Sequence, residues 1–234
     1  MKLKVYDLPT RIFHWAFALC FILAFVISNT VDDESKLFSY HMLVGIVMVF
    51  TVVLRIAWGL VGTRYARFSG FVLNPADLFK YLTEILTGKL NRWAGHNPAS
   101  SWAAIIMIIL SLGLGITGYL MVNSPASEFI EELHEILANA FLIPVILHIC
   151  GIILHTIRHK EFIGLSMISG EKENFSQSDS IHNTHHLIGV LYLLLIIGFG
   201  VYLFRGYNSE TGSLSFLSST YQLHENEVDE HDND

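Results

Sequence analysis

The chain has 234 residues, of which 52% are hydrophobic and only 15% charged. Soluble domains carry about 25% charged residues, and several windows here exceed the roughly 20 apolar residues that cross a bilayer. This excludes a soluble globular domain and predicts an all-α membrane protein. The formal net charge of −7 is uneven: from Gly206 onward there are seven acids and no Lys or Arg, while the rest of the chain balances 14 acids against 14 bases. No basic nucleic-acid surface is present. Cys20 and Cys150 each sit in an apolar run and read as packing residues within the membrane. No Cys-x-x-Cys-His occurs, so any haem is held without covalent attachment.

Residues 1–11 form a short basic lead. A first span is predicted over 12–30, with His14 at its start; no small-x-small cleavage site follows Ser28, so it reads as a retained helix. A loop with Asp32, Asp33 and Glu34 leads to a second span over 41–61, opened by His41 and containing Arg55. The segment 62–100 is basic (Arg64, Arg67, Lys80, Lys89, Arg92) and carries an interfacial helix. That helix starts at Pro75 and stops at Gly88, with Leu78, Phe79, Leu82, Ile85 and Leu86 at helical spacing. His96, in GHNP, reads as a loop or cap residue.

The third span, 101–122, has no histidine. Its Gly113, Gly115 and Gly118 either let helices approach closely or clear room for a flat cofactor. An acidic loop (Glu128, Glu131, Glu132) precedes the fourth span, 133–158, where Pro144 predicts a kink. His182, His185 and His186, a helix cap or a quinone or metal contact, precede a fifth span over 187–204. The domain reading is a four-helix bundle over 1–170, a linker with a fifth transmembrane helix over 171–205, and an acidic, disordered outer tail over 206–234. Lys and Arg counts orient the chain: with the amino terminus inside, inner segments carry eleven and outer segments two, Lys36 and Arg205. The amino terminus is then cytoplasmic and the tail periplasmic.

The fourth span organises the rest. His134, His148 and His155 fall within one third of its circumference. Fourteen residues separate His134 from His148, about 21 Å of rise and roughly 40° short of four turns. Imidazoles in hydrocarbon are costly and usually functional. By depth, His41 pairs with His134 on the outer side and His14 with His148 on the inner side. Two imidazoles per iron fill both axial positions, which favours electron transfer over oxygen activation. His155, seven residues on and about 20° off in angle, is the alternative to His148. Satisfaction of all four rings by backbone carbonyls would make their matched depths a coincidence. A metal-transport path would require acids within the spans, which nearly lack them. Arg55, fourteen residues after His41, is placed either to meet an inner haem propionate or to snorkel to the headgroups. Arg11, just before His14, is placed to serve the same haem.

The stretches YDLPTRIFHW, VVLRIAWGLVGTRYARFSGF, GHNP and ELHEILAN…LHICGIILHTIRHKE together resemble the bacterial cytochrome b561 family. That family includes the b-type cytochrome subunits of membrane-bound nickel–iron hydrogenases. The resemblance covers about residues 5–170 and rests on four motifs in order. It implies a four-helix bundle holding two non-covalent b haems, which exchanges electrons with the quinone pool and a redox partner. The family's ligand positions match His14, His41, His134 and His148. The fifth span and acidic tail depart from that pattern.

The expectation is therefore a di-haem b-type cytochrome of a bacterial inner-membrane respiratory chain. Quinone meets one face, and an outer-side redox protein, such as a c-type cytochrome or a hydrogenase, meets the other. It reads as an electron-transfer component rather than a stand-alone enzyme. The alternatives are an enzyme oxidising a small reductant such as superoxide with quinone as acceptor, and a haem-free membrane anchor.

Overall fold

The computed structural model describes residues 2–88, 93–123, 127–173 and 176–223. Lys89, Arg92 and the tail acids from Glu225 onward lie outside the described residues. Among the described residues, five helices are long and apolar enough to cross a membrane: α1 (Leu8–Thr30), α2 (Ser39–Val61), α4 (Pro98–Asn123), α5 (Glu128–His159) and α7 (His186–Gly206). In α2, 44% of the most apolar window is buried, against 11–17% in the other four. α2 is thus the central helix, packed by α1, α4 and α7, and the others turn most of their apolar surface outward. Such surface is stable only in lipid, so the chain is a multi-pass helical membrane protein.

Two tight hairpins, α1–α2 and α4–α5, make up the bundle, and α7 leans on α1 and α2. The two hairpins approach closely where Gly115 of α4 faces Val49 of α2; a Cβ there would sit 2.5 Å from the valine methyl. Gly113 faces Leu137 and Gly118 faces the His134 ring. The Gly115 contact matches the helix-approach expectation, whereas a Cβ at Gly118 would meet the His134 ring at an ordinary 3.6 Å. Cys20 packs with Val44 and Met48, as expected, but Cys150 is exposed on the outside of α5, contrary to the packing role the sequence suggested. The helix expected between Pro75 and Gly88 is α3 (Pro75–Thr87). Asn74 caps its start by accepting from the Ala76 N–H, and Gly88 ends it at φ +82°, a left-handed turn natural to glycine.

At the amino-terminal end, called proximal here, β1 (Lys2–Lys4) pairs antiparallel with β2 (Glu171–Glu173). β2 follows a one-turn helix, α6 (Ser166–Ser169). Arg11 donates to the Ile168 carbonyl and Trp15 Nε1 to that of Met167 at 2.9 Å, pinning α6 to α1. His185 stands at the N-cap position of α7, but its side chain makes no capping hydrogen bond; its ring lies edge-on to Trp58. The junction of α1 and α2 is held by Asp7, which is fully buried. Its carboxylate accepts from the Thr10 N–H (2.9 Å), Trp58 Nε1 (3.1 Å) and the Thr63 hydroxyl (2.6 Å).

The opposite, distal end corrects the sequence reading. Part of the segment expected as disordered tail forms an antiparallel sheet, β3 (Tyr207–Asn208), β4 (Ser213–Phe216) and β5 (Ser219–Gln222). Leu214 and Leu223 pack on Leu43 and Leu203 at the ends of α2 and α7. The β4–β5 turn is Leu217–Ser218, both at positive φ, as a two-residue I′ hairpin requires. Such short strands become stable because the helix ends supply apolar surface to Leu214 in β4 and to Leu223 just after β5.

Replacing Asp7 with Ala should cost about 2–4 kcal/mol. It removes an N-cap and leaves two buried donors unpaired. Thermal or denaturant unfolding in detergent measures it.

Candidate functional site

Four helical histidines meet in two pairs. His41 of α2 faces His134 of α5 with ring centroids 6.4 Å apart. His14 of α1 faces His148 of α5, also at 6.4 Å. The ring opposite His14 is thus that of His148; His155 lies about two turns further along α5. Both pairs bridge the two hairpins and use α5 on one side. Midway along α5, seven residues from each of its paired histidines, Phe141 is 1% exposed and packs on Phe17 and Phe21 of α1.

The distal rings are oriented by neighbouring helices. His41 Nδ1 lies 2.9 Å from the Ala24 carbonyl, which can only accept, so Nδ1 carries the proton. His134 Nδ1 lies 2.8 Å from the Thr117 hydroxyl, whose own hydrogen is directed at the Gly113 carbonyl at 3.0 Å. With Nδ1 of each ring engaged by a neighbouring helix, Nε2 is the nitrogen left for a metal. Thr117 was not singled out from sequence; a Thr one helical turn from Gly113 carries no signal until α4 is packed on α5.

Near the proximal pair lies a group of buried donors. Arg55 is 4% exposed and does not snorkel. One terminal nitrogen donates to the Ala66 carbonyl at 2.9 Å, and the guanidinium faces Phe68, Phe13 and Phe71 at 4.9, 5.8 and 5.9 Å. Among the described residues, its other terminal nitrogen is buried with no hydrogen-bond partner, as is Arg11 Nε. His96 rests on Phe71, with ring centroids 4.5 Å apart. Burial first, then the charges of Arg55 and Lys172 and the neighbouring His148, push His96 down from 6.5 to about 3, against a raising hydrogen bond to the Tyr65 backbone. The next residue, Asn97, is the actual cap: its side chain accepts from the Ser100 N–H at 2.8 Å, with Pro98 opening α4.

A family model described as prokaryotic cytochrome b561 matches residues 5–170. The chain belongs to that family. As a prokaryotic cytochrome b561 it is a membrane b-type cytochrome of electron transfer, and haem b is the cofactor the family implies. The chain is 26% identical over 210 residues to a probable Ni/Fe-hydrogenase B-type cytochrome subunit of Rhizobium leguminosarum bv. viciae, covering 72% of this chain and 87% of the relative. It is 25% identical over 212 residues to a protein of the same description from Bradyrhizobium diazoefficiens, covering 72% and 85%. No solved structure matches the chain.

The residues fit haem. Metal–imidazole bonds of about 2 Å, with about 1.1 Å from each nitrogen to its ring centre, put two axial rings about 6.3 Å apart. Both pairs are at 6.4 Å. A side chain at Gly45, one turn after His41, would meet nothing within 4 Å, so space is open beside the distal pair. The unpartnered nitrogens of Arg55 and Arg11 suit an anionic ligand edge at the proximal pair.

The depressed His96 sets an acid limit. The unfolded chain protonates His96 as pH falls below 6.5, and the folded chain only near 3, so stability present at neutral pH is lost across that window. A His96→Gln variant should show a shallower fall of unfolding midpoint with acid across that window than the parent does.

Proposed function

We propose that this cytochrome carries two b haems, one axially held by His41 and His134 and one by His14 and His148. In this reading it passes electrons between the quinone pool and a redox protein on the other face. The observation that carries the reading is the equal 6.4 Å spacing of the two histidine pairs at two levels of one bundle. Haem b supplies a one-electron iron couple. The protein's part is to fill both axial positions with imidazole, which leaves no open coordination site and favours outer-sphere electron transfer. Ala24 and Thr117 fix the distal rings, and the phenylalanines between the levels keep the interior dry. Arg55 and Arg11 are the candidate partners of the proximal propionates.

Lys and Arg distribution orients the proximal end to the cytoplasm of a bacterial inner membrane, with the distal sheet and acidic tail in the periplasm. The quinone contact then belongs to the inner end. The outer partner is a redox protein, a c-type cytochrome or a hydrogenase; the relatives' description as hydrogenase cytochrome subunits supports the latter.

Pyridine haemochrome analysis of purified protein should give about two non-covalent b haems per chain; a value near zero would end this reading. His41→Ala and His134→Ala should each lose the distal haem alone, and His14→Ala and His148→Ala the proximal haem alone. If His155→Ala empties the proximal site while His148→Ala spares it, the ligand lies two turns further along α5.

A buried cation favours the reduced, less positive iron. Arg55→Gln should therefore lower the proximal haem's midpoint by about a few tens of millivolts and leave the distal one in place. A redox titration with both haems unshifted would remove Arg55 from the site.

A further inference from the structure

Lys172 lies in β2, two residues beyond the stretch matched by the family, and it is only 6% exposed. The ladder pairs it with buried Leu3, so both point inward, while Lys2–Glu173 and Lys4–Glu171 form ion pairs on either side. No carboxylate within ion-pair distance meets Lys172 among the described residues. Its ammonium instead donates to three consecutive carbonyls, Trp93 (3.2 Å), Ala94 (2.8 Å) and Gly95 (3.3 Å), and lies 5.0 Å from the Tyr6 ring centre. All three donors of the group are used.

Such convergence is specific. A buried ammonium is costly unless its hydrogens are satisfied, and here three consecutive carbonyls satisfy all three. The same loop is pressed from the other side, since a Cβ on Gly95 would collide with the Tyr65 ring. Gripped between Lys172 and Tyr65, the loop delivers His96 onto Phe71, beside Arg55 and within electrostatic reach of His148.

We infer that Lys172 is a positioning residue of the proximal site: it fixes the 93–96 loop so that His96 stands on Phe71, beside Arg55. The inference rests on the proposed proximal haem for its redox consequence, but not for the loop geometry. A clasp built from the two ends of the bundle sequence, β1 and β2, thereby reaches the electron-transfer site through one side chain.

The test uses full-length protein in detergent, with Lys172→Met, Lys172→Arg and Gly95→Ala. Two quantities are read: the rate at which diethyl pyrocarbonate modifies His96, by mass spectrometry, and the reduced-to-oxidised ratio of each haem at fixed ambient potential. Lys172→Met should speed His96 modification several-fold. It should also lower the proximal ratio by about twofold, with the distal ratio unmoved. Lys172→Arg keeps the charge, but its planar fork cannot converge on three carbonyls. It should therefore also speed His96 modification, with a smaller change in the ratio. Gly95→Ala, which displaces the loop from the Tyr65 side, should free His96 as well and supplies the comparison if Lys172→Met does not fold. Should Gly95→Ala free His96 while Lys172→Met and Lys172→Arg leave both readouts at the parent values, the inference is overturned. A parent protein lacking haem would defeat the proposed function instead, and the His96 arm would still decide whether Lys172 holds the loop.

Discussion

An imidazole in hydrocarbon must have its N–H satisfied before its other nitrogen can do anything useful, and the bundle is arranged around that requirement. His41 on α2 is tied to a carbonyl of α1, and His134 on α5 to a hydroxyl of α4. Each tie lies within one hairpin, and each pair then faces across to the other hairpin. Packing of α1 on α2 and of α4 on α5 therefore fixes ring orientation, while approach of the hairpins fixes the pair spacing. The close contact at Gly115 and Val49 belongs to that second adjustment. A change that loosens either hairpin misdirects a ring before it opens the bundle.

The proximal end solves a related problem for cations. Arg55 and Lys172 are both buried without an ion-pair partner in contact, yet they are stabilised differently. The flat guanidinium takes aromatic faces and a single carbonyl, leaving one nitrogen for another anion or acceptor. The compact ammonium is saturated by three carbonyls. The first geometry suits a residue that meets a ligand, the second a residue that holds backbone in place.

Much of this was legible in the sequence because it depends only on helix geometry. The His134–His148 offset places two rings on one face whatever the surroundings, and Asn74-Pro75 and Gly88 bound their helix by local chemistry alone. What escaped depends on contacts between distant segments. Leu217–Ser218 lacks the Asn-Gly signature of a hairpin, and β3–β5 each bury too little to announce themselves without the ends of α2 and α7 beneath. Lys172 counted only as one more inward-side charge, since nothing local shows that three carbonyls some eighty residues earlier converge on it. The exposure of Cys150 was equally hidden, because an apolar helix reads alike on its lipid and protein faces.

The enclosed Phe141 separates two levels that lie about 21 Å apart along α5, in a hydrocarbon layer about 30 Å thick. With a haem at each level, as proposed, an electron passed from one to the other would cross roughly two-thirds of the membrane's insulating depth. A transmembrane voltage of about 100 mV acts on a full crossing with about 2.3 kcal/mol per charge. The share felt here is about 1.5 kcal/mol, close to a tenfold bias in where the electron rests. In the two-haem reading, the bundle's spacing would thus make the distribution of charge between its two ends responsive to the energised state of the membrane, with no moving part required.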